Sequence, residues 1–280
     1  MREIHVDLVT ETVAQLCIEA NTRVGDDVLA ALERAIAAEE SPLGQDVLRQ
    51  LLQNHRYAAE AGVPLCQDTG TAVVFLEIGQ DVHFTGGGLE EAIHRGIAKG
   101  YQEGYLRKSM VADPLVRENT QDNTPGIIHL RLVPGDRVKI TVAPKGGGSE
   151  NMSFLKMLPP STRREDLVGI IVEQVKEAGA NPCPPVVVGV GLGGNFEYAA
   201  YLAKYALLRP LGTPNPNPLY AALETELLAR INGLGIGPQG FGGRITALAV
   251  HVEAYPCHIT GLPLAINLNC HAARHASRVI

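Results

Sequence analysis

Three of the five cysteines stand among polar and turn-forming residues. Cys66 lies in Pro64-Leu65-Cys66-Gln67-Asp68-Thr69-Gly70, between a helix end and a strand, with an amide and a carboxylate beside it. Cys183 lies in Asn181-Pro182-Cys183-Pro184-Pro185, where three prolines impose extended, rigid backbone ahead of a valine run. Cys270 lies in Asn267-Leu268-Asn269-Cys270-His271. Thiols this far apart in sequence form none of the local Cys-x-x-Cys hooks of zinc ribbons or bacterial ferredoxins, so they can share a metal only if the fold gathers them. Three thiolates leave one iron of a four-iron cluster without a protein ligand, and an open position is what separates a Lewis acid from an electron carrier. The competing reading for each is a buried small hydrophobe. That reading suits Cys17, on the apolar face of the first helix, while Cys257, just before His258, stays open between the two.

Other motifs bear on anions. Val186 to Gly194 satisfies G-x-G-x-x-G after a strand and before a helix, yet the ribose-binding acid expected about twenty residues on is replaced by a proline-rich loop, which argues against a dinucleotide site. Its glycines are expected to allow close backbone packing or to donate amides to an anion. Lys145-Gly146-Gly147-Gly148-Ser149-Glu150-Asn151 follows a strand and offers successive N–H groups as an anion-binding concavity, or else a plain turn. Arg107 and Arg117, near Asn119 and Asn123, carry planar forks suited to carboxylates.

The elements that must position these groups are legible in outline. The first sixty residues read as helices: Val13, Leu16, Cys17 and Ala20 share a face, a second helix runs from Asp27 to Ala38, and Ser41-Pro42 opens a third that stops at Gly62. From Pro64 on, β-branched runs at 71–78, 127–133, 138–142, 186–190 and 245–252 alternate with helical stretches at 89–103, 163–178, 196–208 and 219–231. The expectation is a mixed α/β fold, with a helical N-terminal segment over 1–62 and one continuous α/β region over 63–280. Apolar residues make up 45% and charged residues 19%, which is globular usage. A net charge of −6 without a Lys/Arg stripe gives a nucleic-acid surface no support. With no signal-peptide core and no run near the roughly 18 apolar residues of a spanning helix, a soluble cytoplasmic protein is expected.

Together the Pro64 to Gly70, Lys145 to Asn151, Cys183 to Gly194 and Asn269 to His271 segments, with Gly235-Ile-Gly-Pro-Gln-Gly-Phe-Gly-Gly243, resemble class I fumarate hydratases along essentially the whole chain. The likeness is to the alpha subunit of the two-subunit type, with the tartrate dehydratase alpha subunit a close relative. The resemblance implies that Cys66, Cys183 and Cys270 hold a 4Fe-4S cluster whose fourth iron binds the substrate. It implies that Gln67, Asp68, Arg107, Gly148 and His258 line that substrate, with Asp68 and His258 catalytic, and that a beta subunit supplies the remaining basic residues and a proton-transferring hydroxyl. Burial near a negative cluster would favour the protonated form of Asp68, suiting it to general acid/base work; its alternative role is an Asx-turn before the 71–78 strand. The main expectation is fumarate hydration to malate, the alternative L-tartrate dehydration, and the rival from another class a non-catalytic iron-sulfur sensor or electron carrier.

Overall fold

The computed structural model describes residues 1–280. In chain order the elements are β1 Arg2–His5, α1 Val6–Thr22, α2 Asp26–Ala38, α3 Pro42–Ala61, β2 Thr71–Gly79, β3 Val82–Thr85, α4 Leu89–Glu103, β4 Ile127–Val133, β5 Val138–Lys145, α5 Gly147–Glu150, β6 Phe154–Leu158, α6 Arg164–Ala178, β7 Val186–Gly194, α7 Phe196–Ala206, α8 Pro218–Asn232, β8 Ala247–Cys257, β9 Leu262–Asn269 and β10 Ala276–Val279. This is an α/β chain, and it divides into two compact units.

The first unit comprises Met1–Gly25, His55–Gly147 and Arg274–Ile280. Its four-stranded sheet has the order β10-β5-β2-β4, with β2 parallel to β4 and antiparallel to β5. Alternate residues Ala72, Val74, Leu76 and Ile78 of β2 point with Val138, Ile140 and Val142 of β5 toward α1 and α4, as a period of two requires. Those two helices lie unusually close. A Cβ at Gly96 would sit 2.6 Å from the Thr10 carbonyl oxygen, and one at Gly100 2.6 Å from that of Ala14. The first residues are not helical as expected: β1 pairs in parallel with β3. Each partner has only four residues, too short for alternation to register in sequence.

The second unit comprises Asp26–Asn54 and Gly148–Ala273. Its sheet runs β6-β9-β7-β8, with β7 parallel to β8 and antiparallel to β9. Val186, Val188 and Val190 join a core with Leu167, Val168, Ile171 and Val175 of α6 and Leu223, Leu227 and Ile231 of α8. On the other face of β7, Gly189 and Gly191 let α7 approach until a Cβ would stand 2.1 Å from the Ala203 and Ala199 carbonyl oxygens. The glycines of the G-x-G-x-x-G match are therefore packing glycines. Glu39, ahead of α3, is buried and accepts the backbone N–H groups of Glu40, Ser41 and Arg244 at 2.9 Å and of Ile245 at 2.7 Å. Burial works to raise its pKa, but these donors outweigh it and hold the carboxyl below its ordinary value. The strand expected over 245–252 begins two residues later and runs on to Cys257, and the helix expected over 196–208 ends at Ala206. Strands β6, β9 and β10 carry too little alternation to stand out.

Candidate functional site

In the first unit the Cys66 loop is built on buried polar scaffolding. The Tyr101 hydroxyl lies 2.7 Å from the Thr69 carbonyl and 2.9 Å from that of Gly70, and Asn123 Nδ2 donates to the Gly70 carbonyl at 3.1 Å. Burial pushes the Tyr101 phenol's pKa up, so it stays a donor. Thr69 Oγ1 donates to the Arg107 carbonyl at 2.8 Å, and the buried Arg274 donates to the Asp68 carbonyl. Gly70, at φ +71°, approaches Lys145 so closely that a Cβ would stand 2.6 Å from its carbonyl. Every backbone carbonyl from Asp68 to Gly70 thus meets a side-chain donor, which holds the loop in one conformation without regular structure.

The thiol of Cys66 is half-buried, 3.5 Å from Gln67 Oε1, and Gln67 itself is exposed. Asp68 Oδ1 accepts Gly70 N–H at 3.0 Å, forming the Asx-turn weighed from the sequence, and Oδ2 accepts Gly147 N–H at 2.8 Å. The glycine loop after β5 does present an amide to an anion, but that anion is the chain's own Asp68 carboxylate. A Cβ at Gly146 would lie 3.2 Å from Asp68 Oδ2, so the loop's glycines make room for it. Arg107 and Arg117 are exposed, and Arg117 reaches the Pro114 carbonyl at 3.5 Å.

The second unit brings Cys183 and Cys270 together. Strands β7 and β9 are antiparallel with Val187 opposite Asn269, so the start of β7 and the end of β9 share one end of the sheet. Cys183 stands three residues before β7, Cys270 one residue after β9, and His271 N–H donates to the Cys183 carbonyl at 3.2 Å. Cys183 is exposed at φ +54° in its proline turn. The next carbonyl, of Pro184, accepts both the backbone N–H and the side-chain Nε2 of Gln239, each at 2.7 Å. Gln239 is a positioning residue that sequence reasoning missed; the signal was present in the Gly235 to Gly243 motif, whose glycines bring its backbone against this turn. A Cβ at Gly240 would stand 2.4 Å from the Ala180 side chain, and one at Gly243 2.7 Å from Glu39. Gly148, near the Asn181 carbonyl, is exposed.

His258 is in a different place. It occupies the exposed turn after β8, and Gly194 pairs with Cys257, so His258 and Cys257 lie at the end of the sheet away from Cys183 and Cys270.

The donor set suits a three-thiolate cluster. Cys66, Cys183 and Cys270 are loop-borne, outside any disulfide and at least partly exposed, whereas Cys17 is fully buried, with its thiol pushed up to about 12. No group of three His, Cys, Asp or Glu side chains closes on a single ion. No helix is long and apolar enough to cross a membrane.

The family model described as fumarate hydratase (Fumerase) matches residues 10–279. A Methanocaldococcus jannaschii protein, provisionally named L(+)-tartrate dehydratase subunit alpha, is 42% identical over 278 residues, covering 97% of each chain. The L(+)-tartrate dehydratase subunit alpha of Escherichia coli O157:H7 is 32% identical over 278 residues, covering 98% of this chain and 91% of its own; that of strain K12 matches equally well. The chain belongs to the fumarate hydratase (Fumerase) family of hydro-lyases.

Proposed function

We propose that this chain is the alpha subunit of a hydro-lyase that removes water from L-tartrate at an iron-sulfur site completed by a beta subunit. The observation that carries the reading is the pairing of Cys183 and Cys270 at one end of the second unit's sheet, with a third accessible cysteine, Cys66, on the braced loop that also bears Asp68. The substrate follows the names of the 42% and 32% identical relatives. Hydration of fumarate to malate is the second reading, favoured by the family model's description. The two substrates differ by one hydroxyl, a side-chain-scale change in a pocket.

Cys66, Cys183 and Cys270 would hold the 4Fe-4S cluster, which when bound supplies a Lewis acid at its iron without a protein ligand. Asp68 takes or returns the proton at the carbon next to a substrate carboxylate. Each of its oxygens accepts one N–H and keeps a further lone pair for that exchange. Gln67 offers amide donors, Arg107 a bidentate fork and Gly148 an N–H without an obstructing side chain, and these orient the carboxylates; His258, at the other end of the second unit's sheet from Cys183 and Cys270, is not among them. A C4 dianion is costly to desolvate unless both carboxylates meet donors, and these groups are few, which together with the relatives' alpha-subunit names points to a partner chain.

Iron and sulfide counts on single Cys→Ser variants purified without oxygen test the assignment. Cys66→Ser, Cys183→Ser and Cys270→Ser are expected to lose cluster, and Cys17→Ser and Cys257→Ser to retain it. Iron loss from Cys17→Ser with a full cluster in Cys183→Ser sinks the ligand set. Turnover of L-tartrate and of fumarate by the same two-subunit preparation ranks the substrates.

A further inference from the structure

Gly148 sits in α5, a helix of four residues, too short to hold its own place. The carboxylate two residues on supplies the anchor. Glu150 Oε1 accepts the Lys204 ammonium of α7, and Glu150 Oε2 accepts Asn267 Nδ2–H of β9 at 2.8 Å. The other Nδ2 hydrogen of Asn267 goes to Ser153 Oγ at 2.8 Å, and Ser153 N–H donates to the Glu150 carbonyl at 3.0 Å. Both ends of the turn after α5 are therefore tied to one residue of β9. Asn267 stands three residues before Cys270, and a Cβ at Gly148 would lie 3.5 Å from the Asn181 carbonyl, two residues before Cys183. The glycine thus lies beside one cysteine turn, while its anchor belongs to the strand that leads to the other.

This network does more than stabilise the fold. A lysine in the last turn of a helix is ordinarily solvated and complements the helix dipole, but the Lys204 side chain is only 20% exposed and ends on Glu150. Asn267 is 5% exposed, and its Oδ1 is buried without a hydrogen-bond partner. Reversing the amide would set that oxygen against the Glu150 carboxylate, so the network fixes its orientation. A buried carbonyl left unpaired costs free energy that an apolar residue of the same size would avoid. What Asn267 offers in return is its two N–H bonds, both spent on the segment after Gly148. Close packing does not replace them: a cavity of about 200 Å³ opens against Glu150, Ser153, Phe154, Ala203, Lys204 and Asn267.

We infer that Lys204, Glu150 and Asn267 are positioning residues that hold the Gly148 amide beside the Cys183 turn, and that they set the affinity for a substrate carboxylate rather than the rate of the chemical step. The second clause rests on the proposed hydro-lyase reading; the first rests on the network alone. An N–H that meets a carboxylate equally before and during reaction contributes uniform binding, so misplacing it raises KM and spares kcat. The first clause is tested without activity, by hydrogen exchange of the 146–153 amides read by mass spectrometry on the full chain. In Lys204→Met and in Asn267→Leu that segment should exchange about tenfold faster, the effect of losing one charge-assisted hydrogen bond, with the urea midpoint and exchange elsewhere unchanged. Lys204→Arg, which restores the cation, should return the segment to its native rate. Unchanged exchange in both Lys204→Met and Asn267→Leu overturns the positioning role, and so does acceleration spread over the whole chain. In the cluster-loaded two-subunit preparation, KM for L-tartrate or fumarate should rise about tenfold in both variants while kcat stays within about twofold and iron content is native. A native KM, or a fall in kcat alone, overturns the substrate role even where the segment exchanges faster. An inactive wild type whose variants still show the local acceleration counts against the hydro-lyase reading alone.

Discussion

Asp68 is held by two backbone amides, one in its own turn and one at the start of the glycine loop. A turn residue and a proton-transfer group make different predictions for Asp68→Asn. The amide retains an oxygen for Gly70 N–H and can lose the acceptor for Gly147 N–H, a structural cost of about 1 kcal/mol. Loss of a positioned acid or base costs at least about a hundredfold in rate. The expected outcome is an intact visible spectrum and iron content with turnover lowered by that factor; near-native turnover would leave Asp68 as a turn residue only. His251 offers a second test at this scale. It is buried, donates Nδ1–H to the Ala206 carbonyl at 3.2 Å, and its pKa is lowered to about 4, first by burial and then by the neighbouring Arg209 guanidinium. The folded state therefore resists a proton that the unfolded chain accepts near pH 6.5, so stability falls as pH drops from about 6.5 to about 4 and levels off below. The loss is roughly 3 kcal/mol. Urea midpoints of the native chain and of His251→Gln across that window check it, with a flatter pH dependence expected in the variant.

At the scale of elements, close approach is bought with glycine. In the first unit a Cβ at Gly100 would stand 2.6 Å from the Ala14 carbonyl oxygen and 2.9 Å from Cys17 Cβ. Gly→Ala inside a helix gains about 1 kcal/mol of propensity, but overpacking costs about 1–3 kcal/mol and here the obstruction is backbone, which cannot rotate away. Gly100→Ala is expected to destabilise on balance by about 1–2 kcal/mol, read as a lower urea midpoint. Because Tyr101 follows directly and braces the Thr69 and Gly70 carbonyls, the variant should also weaken cluster retention. A midpoint equal to or above the native one would show that the two helices yield freely.

For the whole molecule, the expected behaviour is that the isolated chain has no hydro-lyase turnover and gains it with a beta subunit. The argument is electrostatic: a dianion must exchange its water shell for protein donors, and the proposed donors of this chain are one exposed arginine, an amide side chain and a backbone N–H. Assaying L-tartrate and fumarate conversion by the cluster-loaded chain, with and without the second subunit, decides it. Full turnover by the chain alone would refute the two-subunit reading.

The amino-acid sequence by itself determined the α/β class, the Leu89 to Glu103 helix to the residue, the Ser41 cap of α3, whose Oγ accepts Gly44 N–H at 3.2 Å, and the burial of Cys17, because each depends on local periodicity or capping. It also marked the five motifs of the family. The meeting of the Cys183 and Cys270 segments depends on an antiparallel register between strands some eighty residues apart, one of which showed no pattern of its own, so only the tertiary structure decided it. The same holds for the glycines at 189 and 191, which the sequence left between packing and anion binding until α7 was seen against them. It holds again for His258, separated from Cys270 by a single strand. In sequence twelve residues look like proximity; as an extended strand they set the two groups at opposite ends of a sheet.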